Sequence, residues 1–282
     1  MKRIAIINQK GGVGKTTTAA NLGAALGRSG NRVLLLDLDS QSNLTMHLSG
    51  ELDLGATSSE PTSTGRSMFE LLVDGTPLDE VARELPDEQL WIAPGSGDLA
   101  GIEQALSQHI GRELILRDAL DAMQTRFDVV LMDCPPSLGV LSLNALAAAD
   151  SVLIPLQAEF FALQGMTQLL EVVRVVESRL NPALGVLGIL PCMVDQRTNL
   201  AQEVIAEIRT HFAELVFDTR VRKNVKLAEA PSFGQSILRY APESNGAEDY
   251  LLVAQEFRRR LGLVRSSQSA SSHSVSEPAG EA

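Results

Sequence analysis

The chain has 282 residues, with 24 Lys+Arg against 35 Asp+Glu, a formal net charge of −11 and 44% hydrophobic residues. That length is enough to bury a substantial core. The acidic balance excludes coating by nucleic acid through bulk electrostatics but leaves room for a local basic patch.

Two cysteines, Cys134 and Cys192, make neither a disulfide framework nor a C-x-x-C pair. No stretch of about 18 uninterrupted apolar residues is present, and Met1 to Ile7 is too short for a signal peptide. The sequence therefore predicts a cytoplasmic protein.

In chain order, the apolar run Ile4 to Ile7 predicts a strand that leads into Lys10-Gly11-Gly12-Val13-Gly14-Lys15-Thr16-Thr17. A helix follows from Thr16 to Arg28, closed by Gly30. Arg32 to Leu36 predicts a second strand ending in Asp37-Leu38-Asp39, and the short β-α-β crossover predicts that these two strands pair in parallel. Between Gly50 and Arg66 a Ser, Thr, Gly and Pro composition predicts an exposed excursion. Helical pieces at Ser67 to Val73 and Leu78 to Glu84 precede a strand at Gln89 to Ala93 and helices at Leu99 to Gln108 and Glu113 to Gln124.

Asp128 to Met132 predicts the strand that delivers Asp133-Cys134-Pro135-Pro136-Ser137. Strands at Ser151 to Pro155, Val186 to Leu190 and Leu215 to Phe217 alternate with helices at Leu163 to Leu180, Leu200 to Phe212 and Ala247 to Leu261. On the last helix, Leu251, Leu252, Phe257 and Leu261 are expected to pack on the sheet. Such alternation predicts an α/β fold, a doubly wound, mostly parallel sheet flanked by helices, as one domain over residues 1–263 with its site at the carboxyl ends of the strands. The Ser-rich stretch 264–282 predicts a disordered tail.

The chemistry concentrates at three of these strand ends. Residues 10–17 form a phosphate-binding loop: glycines turn successive N–H groups inward, Lys15 adds a point charge, and the Thr16 hydroxyl is placed to coordinate magnesium. The helix aims its positive dipole end at the same phosphates. The strict pattern G-x-x-x-x-G-K-[ST] fails, because Gln9 stands where the first glycine belongs and Lys10 follows it. Asp133 matches a Walker B carboxylate, held near the magnesium of a bound nucleotide. Asp37 and Asp39 lie where an acid can approach the γ-phosphate side. From Thr219 to Ala228 stand four bases, Arg220, Arg222, Lys223 and Lys226, and no acid; a bare charge run of this kind is more often a solvated helix face than a phosphate-neutralising patch.

The loop resembles that of the deviant Walker A, or ParA/MinD/Soj, family of ATPases, and the motifs span residues 2 to 262. The resemblance implies ATP and Mg2+ as cofactors, with Gly11, Gly12, Val13, Gly14, Lys15, Thr16 and Thr17 around the phosphates and Lys10 contacting the nucleotide of a partner in a face-to-face dimer. It makes Asp39 the first-switch residue required for hydrolysis, beside Thr16 and Asp133 in the magnesium set, with Asp37 supporting the loop. The family's usual proline is here Ser40, which removes a source of rigidity. Asp133 to Leu138 matches the second-switch pattern D-x-P-P-S-L.

By the same resemblance Met193 and Pro231 border the adenine, while Arg197 and the Arg220, Arg222, Lys223, Lys226 segment bind DNA without base specificity. The family's Pro-Arg-Asn-Val-Arg reads Arg222-Lys223-Asn224-Val225-Lys226 here, so charge is kept. The expected role is a dimerising ATPase on the nucleoid, weak in hydrolysis until a ParB-like partner stimulates it, moving a chromosome or plasmid. Two alternatives stand beside it: a MinD-like membrane switch, which would need an amphipathic C-terminal helix around Phe257 to Arg265, and a switch that positions another cargo. Cys134 falls in this second-switch loop, which is also similar to that of the related nitrogenase iron protein, where cysteines hold an iron-sulfur cluster between subunits; such a cluster would need two cysteines from each subunit, and Cys192 has no supporting motif.

Overall fold

The computed structural model describes residues 1–49, 65–123, 127–159, 162–195, 197 and 199–263. Most of the predicted 50–66 excursion and all of the 264–282 tail lie outside the described residues. Strand β1 (Lys2–Ile6) feeds the loop that starts helix α1 (Lys15–Arg28), and β2 (Val33–Asp37) is followed by α2 (Asn43–Ser49). Helices α3 (Met68–Asp74) and α4 (Leu78–Val81) precede β3 (Arg83–Leu85) and β4 (Leu90–Ala93). Then come α5 (Ile102–Ala105), α6 (Ile115–Asp121), β5 (Val129–Asp133), α7 (Val140–Ala148), β6 (Ser151–Gln157), α8 (Ala162–Arg179) and β7 (Gly185–Cys192). The described part closes with α9 (Asn199–Phe212), α10 (Val225–Glu229), α11 (Ile237–Tyr240) and α12 (Asn245–Arg260).

The seven strands form one sheet in the order β3-β4-β2-β5-β1-β6-β7. Every neighbouring pair is parallel except β3 with β4. The expected doubly wound sheet is present, but the pairing of the first two strands is corrected. β5 lies between them, with Ile6 and Asp37 each in register with Asp133. The reason is burial: Val129 to Met132 is apolar on both pleat faces, and such a strand belongs at the centre of a parallel sheet.

Side-chain alternation then builds two cores, one on each face. Leu34 and Leu36 join Met132, Leu146 and Leu169 on one side, while Val33 and Leu35 join Leu22, Leu26, Tyr250 and Phe257 on the other. On α12, Phe257 is buried and Leu261 packs against the second core as expected, but Leu251 and Leu252 face outward. Tyr250, Val253 and Ala254 supply the packing in their place.

Two local expectations fail and one helix goes unread, each for a physical reason. The helix expected to reach Glu84 stops at Val81, and Arg83 to Leu85 pairs antiparallel with β4; a three-residue edge strand carries too little pattern to be read. Helix α7 has no amphipathic stripe because eight of its nine residues are buried. The strand expected at Leu215 to Phe217 is a 3-10 turn, Ala213–Leu215, with one bridge between Ile189 and Val216.

Arg260 takes the place of that missing ladder. Its guanidinium donates to the carbonyls of Leu187 (3.2 Å), Glu214 (3.2 Å), Leu215 (3.3 Å) and Val216 (2.8 Å). It also pairs with Glu256 at 2.9 Å and lies 4.2 Å from the centroid of the Phe217 ring. One side chain therefore satisfies carbonyls on two segments and ties α12 to the sheet edge. Arg260→Ala is expected to lower the unfolding free energy by about 3 kcal/mol in urea denaturation. A loss below about 0.5 kcal/mol would show that water replaces these bonds freely.

Candidate nucleotide site

Strands β1, β2 and β5 end side by side, and the loop after β1 folds over their carboxyl edge. Gly12 and Gly14 adopt φ of 73° and 93°, conformations that favour glycine and that turn the loop back on itself. Helix α1 starts with Gly14 as its N-cap, with no side-chain cap and no acid in its first turn. Its first amides and positive dipole end thus meet no carboxylate from their own turn that would compete with an anion.

Asn8 fixes the entry to the loop: its Nδ2 donates to the Pro155 carbonyl at 2.8 Å, and its Oδ1 accepts the Lys10 N–H at 3.0 Å. Lys15 is buried and its Nζ donates to the Lys10 carbonyl at 3.2 Å. Desolvation lowers the Lys15 pKa, opposed by the charges of Asp133, Cys134 and Asp39. Lys10 behaves differently. Its side chain is half exposed and its ammonium pairs with Glu159 beyond the end of β6, away from its own loop.

Asp133 is fully buried, and neither carboxylate oxygen has a hydrogen-bond partner among the described residues. Burial pushes its pKa well above the ordinary carboxylate range and Asp37 adds to the rise, while Thr16 and Lys15 act in the other direction. Thr16 stands close enough to act on Asp133 without forming a standard hydrogen bond to it. An orphaned buried carboxylate beside a hydroxyl is a hard-oxygen donor set, so these residues fit a magnesium ion.

Asp37 sits in register beside Asp133, but it is satisfied. Its Oδ2 accepts the Thr45 N–H (2.8 Å) and hydroxyl (2.7 Å), and its Oδ1 accepts the Asp39 N–H (3.3 Å). Burial still raises its pKa to about 6. Asp39 itself is partly exposed and accepts the Gln41 N–H at 3.0 Å. A 990 Å³ cleft is lined by Gly12, Lys15 and Asp39 and also by Met193 and Pro231, so the residues expected around the phosphates and the base share one cavity. Met193 has a φ of 52°, an uncommon conformation for a side chain of its size.

The five expected DNA contacts divide. Arg222 is held by Asp249, with N–H, Nε and Nη2 all donating to the carboxylate, and by Glu248 at 2.6 Å. Lys226 pairs with Glu229 at 2.8 Å and lies 5.5 Å from the Tyr240 ring centroid. Arg197 is exposed and forked onto Asp195, whose carboxyl it holds well below the usual range. Arg220 and Lys223 have no ion-pair partner among the described residues. Both thiols are buried, Cys134 in one core and Cys192 in the other, and burial pushes Cys192 up to about 12.

Set beside known proteins, residues 1–186 match a family model described as an AAA domain. Soj of Bacillus subtilis, a sporulation initiation inhibitor protein, is 45% identical over 90% of this chain and 97% of its own. ParA of Myxococcus xanthus, a chromosome partitioning protein, is also 45% identical, over 91% of this chain and 88% of its own. The chain belongs to the Soj/ParA family of partitioning ATPases.

Among solved structures, a cobyrinic acid a,c-diamide synthase from Mycobacterium smegmatis with bound ADP and magnesium is 38% identical, with a TM-score of 0.68 over 87% of this chain and 98% of its own. The cell division ATPase MinD of Pyrococcus furiosus shares the fold, with a TM-score of 0.71 at 24% identity over 92% of this chain and 99% of its own.

Motif reading in the Soj/ParA frame missed Asn8, Thr45 and His47. Only Asn8, a polar residue closing an apolar strand, gave any signal. His47 on α2 is buried with its Nε2 unpartnered, and desolvation lowers its pKa to about 4 against a hydrogen bond with the Gln235 backbone. The unfolded chain thus takes up a proton near pH 6.5 that the folded chain refuses until about pH 4, so stability is present above that window and is lost as pH falls through it. Between pH 7 and 5 the His47 contribution falls by about 2 kcal/mol. Urea denaturation of His47→Gln should show a correspondingly flatter pH dependence; parallel losses in both proteins would remove His47 as the cause.

Proposed function

We propose that this chain is a nucleotide-switched dimer: it binds ATP with magnesium, closes face to face on a second copy, and in that form holds DNA without sequence preference. The observation that carries the reading is the orphaned carboxylate of Asp133 beside Thr16 and buried Lys15, at the foot of a loop shaped for phosphates. In this reading Gly11 to Thr17 surround the phosphates, Thr16 and Asp133 hold the metal with Asp39 on its open side, and Met193 and Pro231 border the base. Magnesium, when bound, neutralises charge on the terminal phosphates. Asp39 orients the attacking water, and Lys15 stays with the chain's own nucleotide.

Lys10 is the residue that makes the site incomplete alone. Its ammonium points to Glu159 at the surface, where a second copy is able to compete for it. Hydrolysis is accordingly slow in isolation and rises with a ParB-like partner, and the cargo is a chromosome or plasmid at the nucleoid. For DNA, Arg220 and Lys223 are the free cations of the basic segment. Arg197, Arg222 and Lys226 contribute only as their acidic partners release them. Against the membrane reading stands the apolar stripe of α12 through Tyr250, Val253 and Phe257, which is buried against the sheet; Val264 and Arg265 lie outside the described residues. No helix among the described residues is long and apolar enough to cross a membrane.

Lys15→Ala is expected to lose nucleotide binding, whereas Lys10→Ala keeps much of it and loses the turnover that depends on dimerisation; titration with a fluorescent ATP analogue and ATPase assays across protein concentration separate the two, and equal loss of binding defeats the distinction. With ATP and magnesium the protein should retard unrelated DNA at low salt. Replacing Arg220 and Lys223 by Ala should flatten the plot of log K against log salt by about 2 per chain. Failure of the wild type to retain DNA removes the main support for this role.

A further inference from the structure

We propose that Thr45 is the positioning residue of the first switch loop, replacing the stiffness that a proline at Ser40 would give. The inference rests on the ATPase reading and names a residue that no motif marks. The loop leaves the sheet at Asp37, carries Asp39, Ser40, Gln41 and Ser42, and re-enters regular structure at α2.

Thr45 lies in the first turn of α2, where amides have no partner within the helix. It gives its N–H and its hydroxyl proton to the same oxygen of Asp37, at 2.8 and 2.7 Å. The hydroxyl oxygen in turn accepts the Gly95 N–H at 3.0 Å. One buried side chain thus joins the two ends of the loop and fastens both to the segment after β4. Thr45 and Asp37 are buried, at 1% and 0% exposure, so water does not compete for these bonds.

The third element is packed just as closely. A Cβ on Gly95 would stand 2.9 Å from the Asp37 Cγ, so no larger residue fits without moving the carboxylate. Asp39 begins two residues from this clamp, and its N–H already leans on the other Asp37 oxygen. Ser42, at φ 52°, turns the chain back so that its N–H reaches the Asp39 carbonyl at 2.8 Å. The position of Asp39 across the cleft from Lys15 is therefore set from behind by Thr45. Ser40 contributes no constraint of its own to this arrangement.

The role makes Thr45 act on the rate and not on nucleotide affinity, because it touches neither the phosphate loop nor the Met193 end of the cleft. Thr45→Val keeps the shape and the N–H donor but removes the hydroxyl that donates to Asp37 and accepts from Gly95; Thr45→Ser keeps that hydroxyl. Single-turnover hydrolysis at saturating ATP should fall about tenfold in Thr45→Val. Affinity for magnesium-ADP should stay within about twofold, and Thr45→Ser should recover most of the rate. Wild-type turnover in Thr45→Val, equal impairment in Thr45→Ser, or an equal loss of ADP affinity would each overturn the assignment.

Amide hydrogen exchange on the wild-type protein gives a reading that needs no variant to fold. Thr45 and Gly95 N–H should be protected well beyond Ser40 and Gln41, and rapid exchange at both overturns the proposal. Absence of any wild-type turnover would instead sink the ATPase reading, which keeps the two failures distinct.

Discussion

Everything at the carboxyl edge of the sheet follows from two carboxylates buried side by side. Asp37 and Asp133 end neighbouring strands in register. Adjacent strands stand about 4.8 Å apart, and the charge of Asp37 adds to burial in disfavouring the ionised form of Asp133. The fold resolves the conflict by treating them unequally. Asp37 receives three donors and becomes part of the frame, whereas Asp133 receives none and depends on Lys15 and on whatever cation enters. The loop, the buried lysine and the first turn of α1 are the positive side of that imbalance.

The same imbalance separates the two lysines. Lys15 is drawn inward by the acids and is held in place by the Lys10 carbonyl, so its charge belongs to the site of its own chain. Lys10 lends that carbonyl but sends its side chain outward, because Asn8 fixes its backbone against the end of β6. A loop with glycine in place of Gln9-Lys10 would have no side chain in that direction. The outward lysine is thus a consequence of how the strand end is tied, with its ammonium on Glu159 and not in the cleft lining.

Residues whose environment is local were legible in the sequence. Ile4 to Ile7, Val33 to Leu36 and Val129 to Met132 read as buried strands because each is apolar throughout, and Lys15, Thr16 and Asp133 read as a site because a phosphate loop has a fixed spacing. What stayed hidden was decided by partners far along the chain. Leu215 to Phe217 has the composition of a strand, yet Arg260 takes the Leu215 and Val216 carbonyls and only one bridge to β7 forms. Helix α7 shows no stripe because it is buried almost all round. Thr45 and His47 look like ordinary helix residues until Asp37 and Gln235 are placed against them. The basic run was visible, but nothing near Arg222 in sequence announces Asp249 as its partner.

That last pairing bears on how the proposed switch would work. By committing Arg222 and Lys226 to internal acids, a chain of net charge −11 leaves its 219–228 segment little positive charge to offer DNA. In the proposed switch the two cations of that segment without an ion-pair partner among the described residues, Arg220 and Lys223, would give a salt exponent of about 2 per chain and about 4 for a pair bound as one unit, because each neutralised phosphate adds about 0.9 to the slope. Because the number of contacts made together enters as the exponent, a single chain of the proposed switch would be held weakly at ordinary salt and a closed pair far more tightly. Scarcity of free cations is then useful: with many of them the lone chain would bind as well, and nucleotide-driven pairing would no longer decide whether DNA is held.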